Sequence, residues 1–461
     1  MQILILGAGR VGESVAETLV SEANDITVID VDSRRLQVLE ERFDLRGVRG
    51  DGVHPSVLRD AGAPGCDLFI ACTGRDETNL VACKIAHDVF GVATTIARLR
   101  SSEFREAGLL GQNGFAVNRM ICPEESVTRY IQLLIDYPQA LQVVRFSQGQ
   151  AHLAVVRVAP ASGLVGHSIG EFHAQYPALP LHIVAVYRND VELPCNANTR
   201  VQTGDEVYVA VGRENLRAAL NVIGDAGRKV RRIMIAGGGR VGLRLARQLR
   251  GNFEVKLLER DAERCDYLAS KLAPDMLVLQ GDGSDEELLL TEGVGEMDMF
   301  IALTNDDEDN IMAAMLAKRM GARRVAALIT RRAYAEMLHG SAIDIAISPA
   351  QAVIGELLTH VRRGAVAAVH SLRRGLSETL EGIAHGDAKT SRLVGKTVAE
   401  IKLPDGARIG AIVRGEGSAA RTLIPDATTT VESEDHVIIF VPRRRTMRDV
   451  EKLFQVRATF F

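Results

Sequence analysis

The chain has 461 residues, 46% of them apolar and 25% charged, with a formal charge of −4. That length exceeds a single core and suggests roughly two to four domains, while the ordinary apolar content excludes a disordered chain. The slightly acidic balance offers no basic field for nucleic acid or anionic lipid, so no nucleic-acid partner is expected.

In chain order, Gln2 to Leu6 reads as a strand feeding directly into Gly7-Ala-Gly9-Arg10-Val11-Gly12, and a helix with Val15, Ala16 and Leu19 at helical spacing follows. A second strand, Asp25 to Asp30, ends in an acid 23 positions after Gly7. Helix Ser33 to Arg42, a strand around Arg46 to Val48 and the triplet Gly50-Asp51-Gly52 come next. A fourth strand, Leu68 to Thr73, precedes a helix reaching Ala86, and Thr94 to Leu99 is the fifth strand. Strands alternating with helices over short connections mean a parallel sheet covered on both faces. The pattern changes at Ile121-Cys-Pro123, where Glu124 to Ile135 reads as a connecting helix. Beyond it Phe146, Leu153 to Val158, Ile183 to Tyr187 and Glu206 to Val211 read as strands of a small α+β domain ending near Gly227.

The second half repeats the first. Gly237-Gly238-Gly239-Arg240-Val241-Gly242 stands 230 positions after the first glycine turn, and Asp282, Thr304 and Asn310 stand 231 after Asp51, Thr73 and Asn79. Leu164-Val-Gly166 returns as Leu393-Val-Gly395, so the duplication covers both domain types. The fold class is therefore α/β, with two Rossmann-like, doubly wound parallel-sheet domains, each followed by a small α+β domain. The expected boundaries are 1–120, a connecting helix over 121–140 and a small domain over 141–227, then 231–348, 349–365 and 366–457 in the second copy.

Six cysteines without a C-x-x-C or zinc spacing read as buried free thiols in a reducing compartment. Met1 leads straight into a strand, and no run approaches the roughly 18 to 20 apolar residues that span a bilayer. A cytoplasmic protein that meets a membrane through a partner is expected.

The chemistry expected of the repeated turn is dinucleotide binding. Gly7 and Gly9 let a pyrophosphate approach the main chain and Gly12 lets the helix pack close, while the phosphate rests on unpaired N–H groups at the helix start. Arg10 adds a charge-assisted contact. Asp30, and Glu259 in the second copy, stand where an acid bonds ribose hydroxyls and repels a 2′-phosphate, which favours NAD(H) over NADP(H). Asp51 and Asp282 admit two readings, an acceptor for an adenine amino group or an Asx turn. Thr73 and Thr304 end the fourth strand at the ligand side of such sheets. The acidic run Asn305 to Asn310 lacks the ligand pattern of a calcium loop and reads as dipole and capping residues, so no metal is expected. Arg98 ends the fifth strand and reaches toward the phosphates. The second copy carries Ala326-Ala327-Leu328-Ile329 there, so the two sites should differ in affinity or nucleotide preference. His54, His182 and His370 stand without a sequence-adjacent partner, and Arg443-Arg444-Arg445 reads as a solvated loop.

On the glycine turn with Val28-Ile-Asp30-Val-Asp32, the RGDG at 49 to 52, Cys72-Thr-Gly-Arg-Asp-Glu-Thr-Asn79 and a Leu-Val-Gly in each small domain, the chain resembles the TrkA family of potassium-uptake regulators over essentially its whole length. The resemblance implies a peripheral cytoplasmic subunit that binds NAD(H), and ATP or ADP as well, and assembles into a tetrameric ring. That homo-oligomer docks on the cytosolic face of a Trk-type potassium-translocating membrane protein. Carried over position by position, the first site is Gly7, Ala8, Gly9, Arg10, Val11, Asp30, Asp51, Gly52, Thr73, Gly74 and Arg98. The second is Gly237, Gly238, Gly239, Arg240, Val241, Glu259, Asp282, Gly283, Thr304 and Asn305. Two alternatives stand beside this reading, a nicotinamide-dependent oxidoreductase and a regulator of a different cation channel or antiporter. A dehydrogenase needs a proton donor or acceptor beside its cofactor, and neither small domain offers such a constellation in sequence.

Overall fold

The computed structural model of the chain describes all residues except 21–23, 102, 225–228, 339–341, 351, 355–356, 358–365, 373–376 and 457–461. Much of the expected second connecting helix, 349–365, and the expected domain ends at 227 and 457 lie outside the described residues. The chain divides into two compact units, Met1–Val127 with Ser348–Val361, and Thr128–Ile347 with Arg362–Phe461.

The first unit is built on strands β1 (Gln2–Leu6), β2 (Asp25–Asp30), β3 (Arg46–Arg49), β4 (Leu68–Ala71), β5 (Thr94–Arg98) and β6 (Arg119–Ile121). All pair in parallel, in the order β3-β2-β1-β4-β5-β6. Ile3 to Leu6 and Leu68 to Ala71 are continuous apolar runs because helices cover both faces of a parallel sheet, and every one of these residues is buried. The order reverses between β1 and β4, and the crevice beyond their carboxyl ends is where open α/β sheets take ligands.

The second unit holds three sheets. β7 (Ala140–Phe146), β8 (Ala151–Arg157), β9 (Leu181–Arg188), β10 (Val191–Glu192) and β11 (Glu206–Gly212) form an antiparallel sheet in the order β10-β9-β11-β8-β7. β12 (Arg232–Ala236), β13 (Glu254–Glu259), β14 (Leu277–Gln280), β15 (Met299–Ala302), β16 (Arg324–Leu328) and β17 (Ile345–Ile347) repeat the parallel order of the first unit. β18 (Val366–Leu372), β19 (Ser377–Ala384), β20 (Arg408–Arg414), β21 (Arg421–Leu423) and β22 (Asp435–Val441) form a second antiparallel sheet. The two antiparallel sheets pack face to face. Phe146, Leu153, Val155 and Tyr208 from one meet Leu372, Val413, Ile438 and Phe440 from the other in a single apolar layer. Polar contacts frame that layer, with Gln142 donating to the Ser371 carbonyl at 2.9 Å and the Arg408 guanidinium to the Val184 carbonyl at 2.9 Å. Each small sheet also holds the same bidentate pair, Arg188 with Asp205 and Arg414 with Asp435, every bond 2.8 Å.

Several boundaries differ from the sequence reading. The sequence pattern marks β7 only at Phe146. Its register slips between Ala140 and Gln142, and such a bulge destroys the period-two alternation that marks a strand in sequence. The small domain also holds the helices Ile169–Gln175, opened by a Ser168–Glu171 capping box, and Leu216–Ile223, neither of which the strand pattern implies. The helix from Asp76 runs on to Phe90 and stops at Gly91, in the left-handed region at φ 71°. The strand expected to reach Thr73 ends at Ala71, because Thr73 bonds a side chain instead of the sheet ladder.

Candidate functional site

Gly7 to Val11 form the turn from β1 into the helix Arg10–Val20. Gly7 has φ 107°, a conformation costly for any side chain, and an added Cβ would lie 3.1 Å from the Thr73 amide nitrogen. Gly12 is a steric requirement of another kind, since a Cβ there would come within 1.8 Å of the Gly7 carbonyl oxygen. Gly9 has open space on its Cβ side, so the middle of the turn is free for a ligand. In the second copy Gly237 has φ 109°, and a Cβ on Gly242 would lie 2.0 Å from the Gly237 carbonyl oxygen. The backbone of the turn is thus preserved across the duplication.

The acid at the end of the second strand closes this turn. Asp30 is 8% exposed, accepts the Ala8 N–H at 2.6 Å on Oδ2 and the Asp32 N–H at 2.9 Å on Oδ1. Glu259 repeats both bonds, from Gly238 N–H at 2.9 Å and Asp261 N–H at 3.0 Å. The longer side chain is accommodated by loss of the neighbour's methyl. A Cβ on Gly238 would stand 2.3 Å from Leu268 Cδ1 and 3.0 Å from Glu259 Oε2, whereas the first copy carries Ala8 beside the shorter Asp30. The exchanges at the two positions are physically linked.

Thr73 and Thr304 follow β4 and β15, where an asparagine not assigned a role from sequence holds each of them. Asn79, fully buried, accepts the Thr73 N–H at 2.9 Å and the Thr73 hydroxyl at 2.8 Å on Oδ1, and donates to the Arg98 carbonyl at 2.7 Å. Asn310 does the same for Thr304, at 2.8 Å for each bond, and donates to the Leu328 carbonyl at 2.9 Å. These bonds tie the ends of two neighbouring strands together at the floor of the crevice. The recurrence of the asparagine in register was the sequence signal available. Gly74 and Asn305 lie exposed beside these threonines.

Asp51 and Asp282 form the turns that were one of their two readings. Asp51 Oδ1 accepts the Val53 N–H at 3.2 Å, and Asp282 Oδ1 accepts the Ser284 N–H and hydroxyl at 2.9 and 2.7 Å. The Ser284 bonds hold the Asp282 carboxyl below its usual range. The following glycines are packing requirements, with a Cβ on Gly52 2.4 Å from Leu6 Cδ1 and one on Gly283 2.7 Å from Ala236 Cβ.

Arg98 marks the main departure between the copies. Its side chain is 15% exposed, its Nε makes no hydrogen bond, and its guanidinium lies 3.8 Å from the Glu124 carboxylate, which also faces Arg100 at 3.8 Å. Burial lowers its pKa, with Glu124 opposing. The equivalent strand position, by its bond to Asn310, is Leu328, and Ala350 stands where the first copy has Glu124 in the sequence after the sixth strand. Behind the first turn Cys72 is buried and its thiol pKa is raised to about 12 by desolvation, while the second copy has Leu303 there.

The acids of the 305–310 run have structural occupations. Asp306 caps the helix Asp307–Arg319 by accepting the Asp309 N–H, Asp307 accepts from Thr330 N–H and Arg331 N–H, and Glu308 pairs with Arg331. Two other expectations are corrected, those for the cysteines and for Arg444. Of the six free cysteines only Cys72, Cys83 and Cys122 are fully buried. His370, which has no sequence-adjacent partner, packs edge-on against the Phe146 ring, with ring centroids 5.3 Å apart. Arg444, placed in a solvated run, reaches the buried Glu378 carboxylate at 2.9 Å.

All the expected residues of each copy lie at the carboxyl edge of one parallel sheet, so the chain is of the class that carries two Rossmann-type glycine-turn crevices, each followed by a small antiparallel domain. The chain belongs to the TrkA family. The TrkA-N domain model matches residues 3–123 and 233–349, and the TrkA-C domain model matches 153–224 and 388–455. It is 45% identical to the Trk system potassium uptake protein TrkA of Halomonas elongata, covering 100% of both chains. It is 44% identical to the protein of the same name from Vibrio alginolyticus over 99% of both. Among solved structures it resembles the GsuK RCK domain, with a TM-score of 0.61 at 20% identity over 98% of this chain and 94% of that one. It likewise resembles the GsuK channel bound to NAD, with a TM-score of 0.61 over 98% of this chain and 78% of that one. Among the described residues no helix is long and apolar enough to cross a membrane, and no group of metal-ligating side chains is assembled.

Proposed function

We propose that this chain is a cytoplasmic nucleotide-sensing regulatory subunit of a Trk-type potassium uptake system, peripheral to the membrane through its partner, and not an enzyme. The observation that carries the reading is the duplicated site itself, two glycine turns each closed by an acid on a main-chain N–H and floored by a threonine–asparagine lock. Relatives alike over their whole length carry the name of a potassium uptake protein, and a protein of like fold has been solved with NAD. In this reading NAD(H) lies with its pyrophosphate on the turn and its ribose at Asp30 or Glu259, and Asp51 or Asp282 stands near the adenine. ATP or ADP competes for the same crevices, and a solved structure of GsuK with ADP accords with that use of the fold. The modules are those bounded at 1–120, 141–227, 231–348 and 366–457. The chain assembles into a tetrameric ring, and ligand exchange in the crevices shifts its conformational equilibrium and so gates the potassium-translocating membrane subunit.

The test is potassium flux through the reconstituted membrane partner with NAD+, NADH, ATP and ADP added singly. Flux that responds to the nucleotides, with NADH bound but not consumed across a panel of alcohols and hydroxy acids, is the expected result. Flux indifferent to all four, or steady NADH oxidation by a plain substrate, overturns it.

A further inference from the structure

The face-to-face layer between the two small sheets is apolar on one side and polar at one strand of the other. On β8 the residues turned into the layer are Ala151, Leu153 and Val155. β19 occupies the same place in the second sheet, because Glu381 pairs with Ile438 of β22 as Val155 pairs with Tyr208 of β11. Yet its buried inward positions are Ser377, Thr379 and Glu381. A carboxylate 3% exposed in such a layer requires donors, and it has them from both sheets. Its Oε1 accepts the Ser147 hydroxyl at 2.6 Å and the Ser147 N–H at 3.1 Å from the first small domain, and His436 Nδ1 lies 2.7 Å away in the second.

Ser147 is delivered by a turn that departs from easy backbone geometry. Ser147 and Gln148 have φ 46° and 56°, and Gly149 follows at φ 91°. Two consecutive non-glycine residues in the left-handed region persist only where surrounding contacts hold them. The contact to Glu381 holds this pair together with the hairpin closure itself, in which the Gln150 N–H donates to the Ser147 carbonyl at 3.1 Å.

We infer that Glu381, Ser147 and His436 form a proton-operated latch between the two small domains, closed while His436 carries its proton and loosened when it loses it. The other charged groups that act on His436 among the described residues are Glu416 after β20 and Glu434, itself 2.7 Å from His385, while His370 on β18 faces Glu381. Arg145 on β7 meets His370 through a backbone hydrogen bond. His370 stays neutral, since burial lowers its pKa to about 4, so it adds no competing positive charge near neutrality. The hydrogen bond that His436 donates to Glu381 holds His436 above its ordinary value, aided by the Glu416 and Glu434 charges. Burial pushes Glu381 upward, but the His436 and Ser147 donors outweigh it and keep the carboxyl below its ordinary value.

The sign follows from these directions. A histidine raised in the folded state adds stability that is fully present below its unfolded pKa, about 6.5, and is lost as pH climbs through its higher folded value. Neutral His436 still donates through Nδ1, so what disappears is the charge assistance, and Glu381 is left as a buried anion with neutral donors. At the acid end, protonation of Glu381 itself removes the negative charge that strengthens these bonds. The latch therefore holds over a window and loosens on both sides of it.

Hydrogen exchange on the full-length protein reads this directly, because the Ser147 amide is one of the bonds in question. Between pH 6 and 9, after correction for intrinsic exchange, that amide should lose roughly tenfold in protection, the scale of one charge-assisted bond. His436→Gln should show no such step. Glu381→Val installs the residue of the first small domain and should fold with a stable layer and pH-independent exchange at Gln150 and Phe146. Protection of Ser147 that follows intrinsic exchange alone in the wild type, or a step that survives in His436→Gln, overturns the latch. None of these readouts depends on nucleotide binding.

Discussion

The two glycine-turn crevices share a hydrogen-bond skeleton and differ in charge. In both, an acid at the end of the second strand accepts the N–H of the residue after the first glycine, and a buried asparagine binds a threonine after the fourth strand. Around that skeleton the first crevice has Arg98, Glu124 and Cys72, and the corresponding positions of the second are Leu328, Ala350 and Leu303. The bonds that shape the main chain are repeated in both copies. The side chains around the skeleton differ between the copies, and they are where the two crevices become unequal in charge.

The skeleton is the first thing to break. Asn310→Ala leaves the Thr304 N–H and the Leu328 carbonyl without partners in a buried place, and each unsatisfied group costs about 1–3 kcal/mol. A loss of roughly 3 kcal/mol is expected by denaturant titration, and Asn79→Ala should match it within the scatter of such measurements. If the asparagines were ligand contacts only, the variants would lose nucleotide affinity at unchanged stability.

The linked exchange at the acid comes next. Gly238→Ala places a methyl against Leu268 and Glu259, an overpacking of about 1–3 kcal/mol. Glu259→Asp in the same chain recreates the Ala8–Asp30 pairing of the first copy and should recover the part of that loss that arises at Glu259, the Leu268 contact remaining. A double-mutant cycle measures the coupling, expected near 1 kcal/mol. Additive effects would mean that the two positions diverged independently.

The parallel sheets and their order were legible because continuous apolar strands, a glycine turn and helical periodicity are all local signals. The duplication then multiplied each of them. Less legible were features made by contacts remote in sequence. β7 lost its alternation to a bulge, and Arg444 reads as solvated until Glu378 is brought to it from 66 positions away. Glu381 and His436 are unremarkable until Ser147 of the other small domain meets them. At the crevices the glycines and acids were readable by spacing. That Asp30 also fastens the turn could not be seen, since the Ala8 N–H bond exists only once β1 and β2 are side by side. Asp30→Ala therefore disturbs the turn as well as any ribose contact, and Asp30→Asn, which retains an acceptor for the Ala8 N–H, is the cleaner probe.

The smallest expected change bears most directly on the inequality of the sites. Arg98→Leu gives the first crevice the residue of the second. The guanidinium is held near neither a bidentate carboxylate nor a full set of acceptors, with Glu124 at 3.8 Å and Nε unbonded, so it retains donors for a phosphate. A hydrogen bond to a charged group is worth about 1.5–3 kcal/mol. The Glu124 charge offsets part of that, so a loss of roughly tenfold in affinity for a polyphosphate nucleotide at the first site is expected, read by calorimetric titration. Folding stability should hardly move, because removing a partly desolvated cation offsets the lost pairing. The loss should also shrink as salt screens the charge, whereas a steric effect of the substitution would be salt-independent. Equal affinities of Arg98→Leu and wild type at low salt would place the difference between the two crevices elsewhere, in the Ala8–Asp30 and Gly238–Glu259 pairs that line the opposite wall.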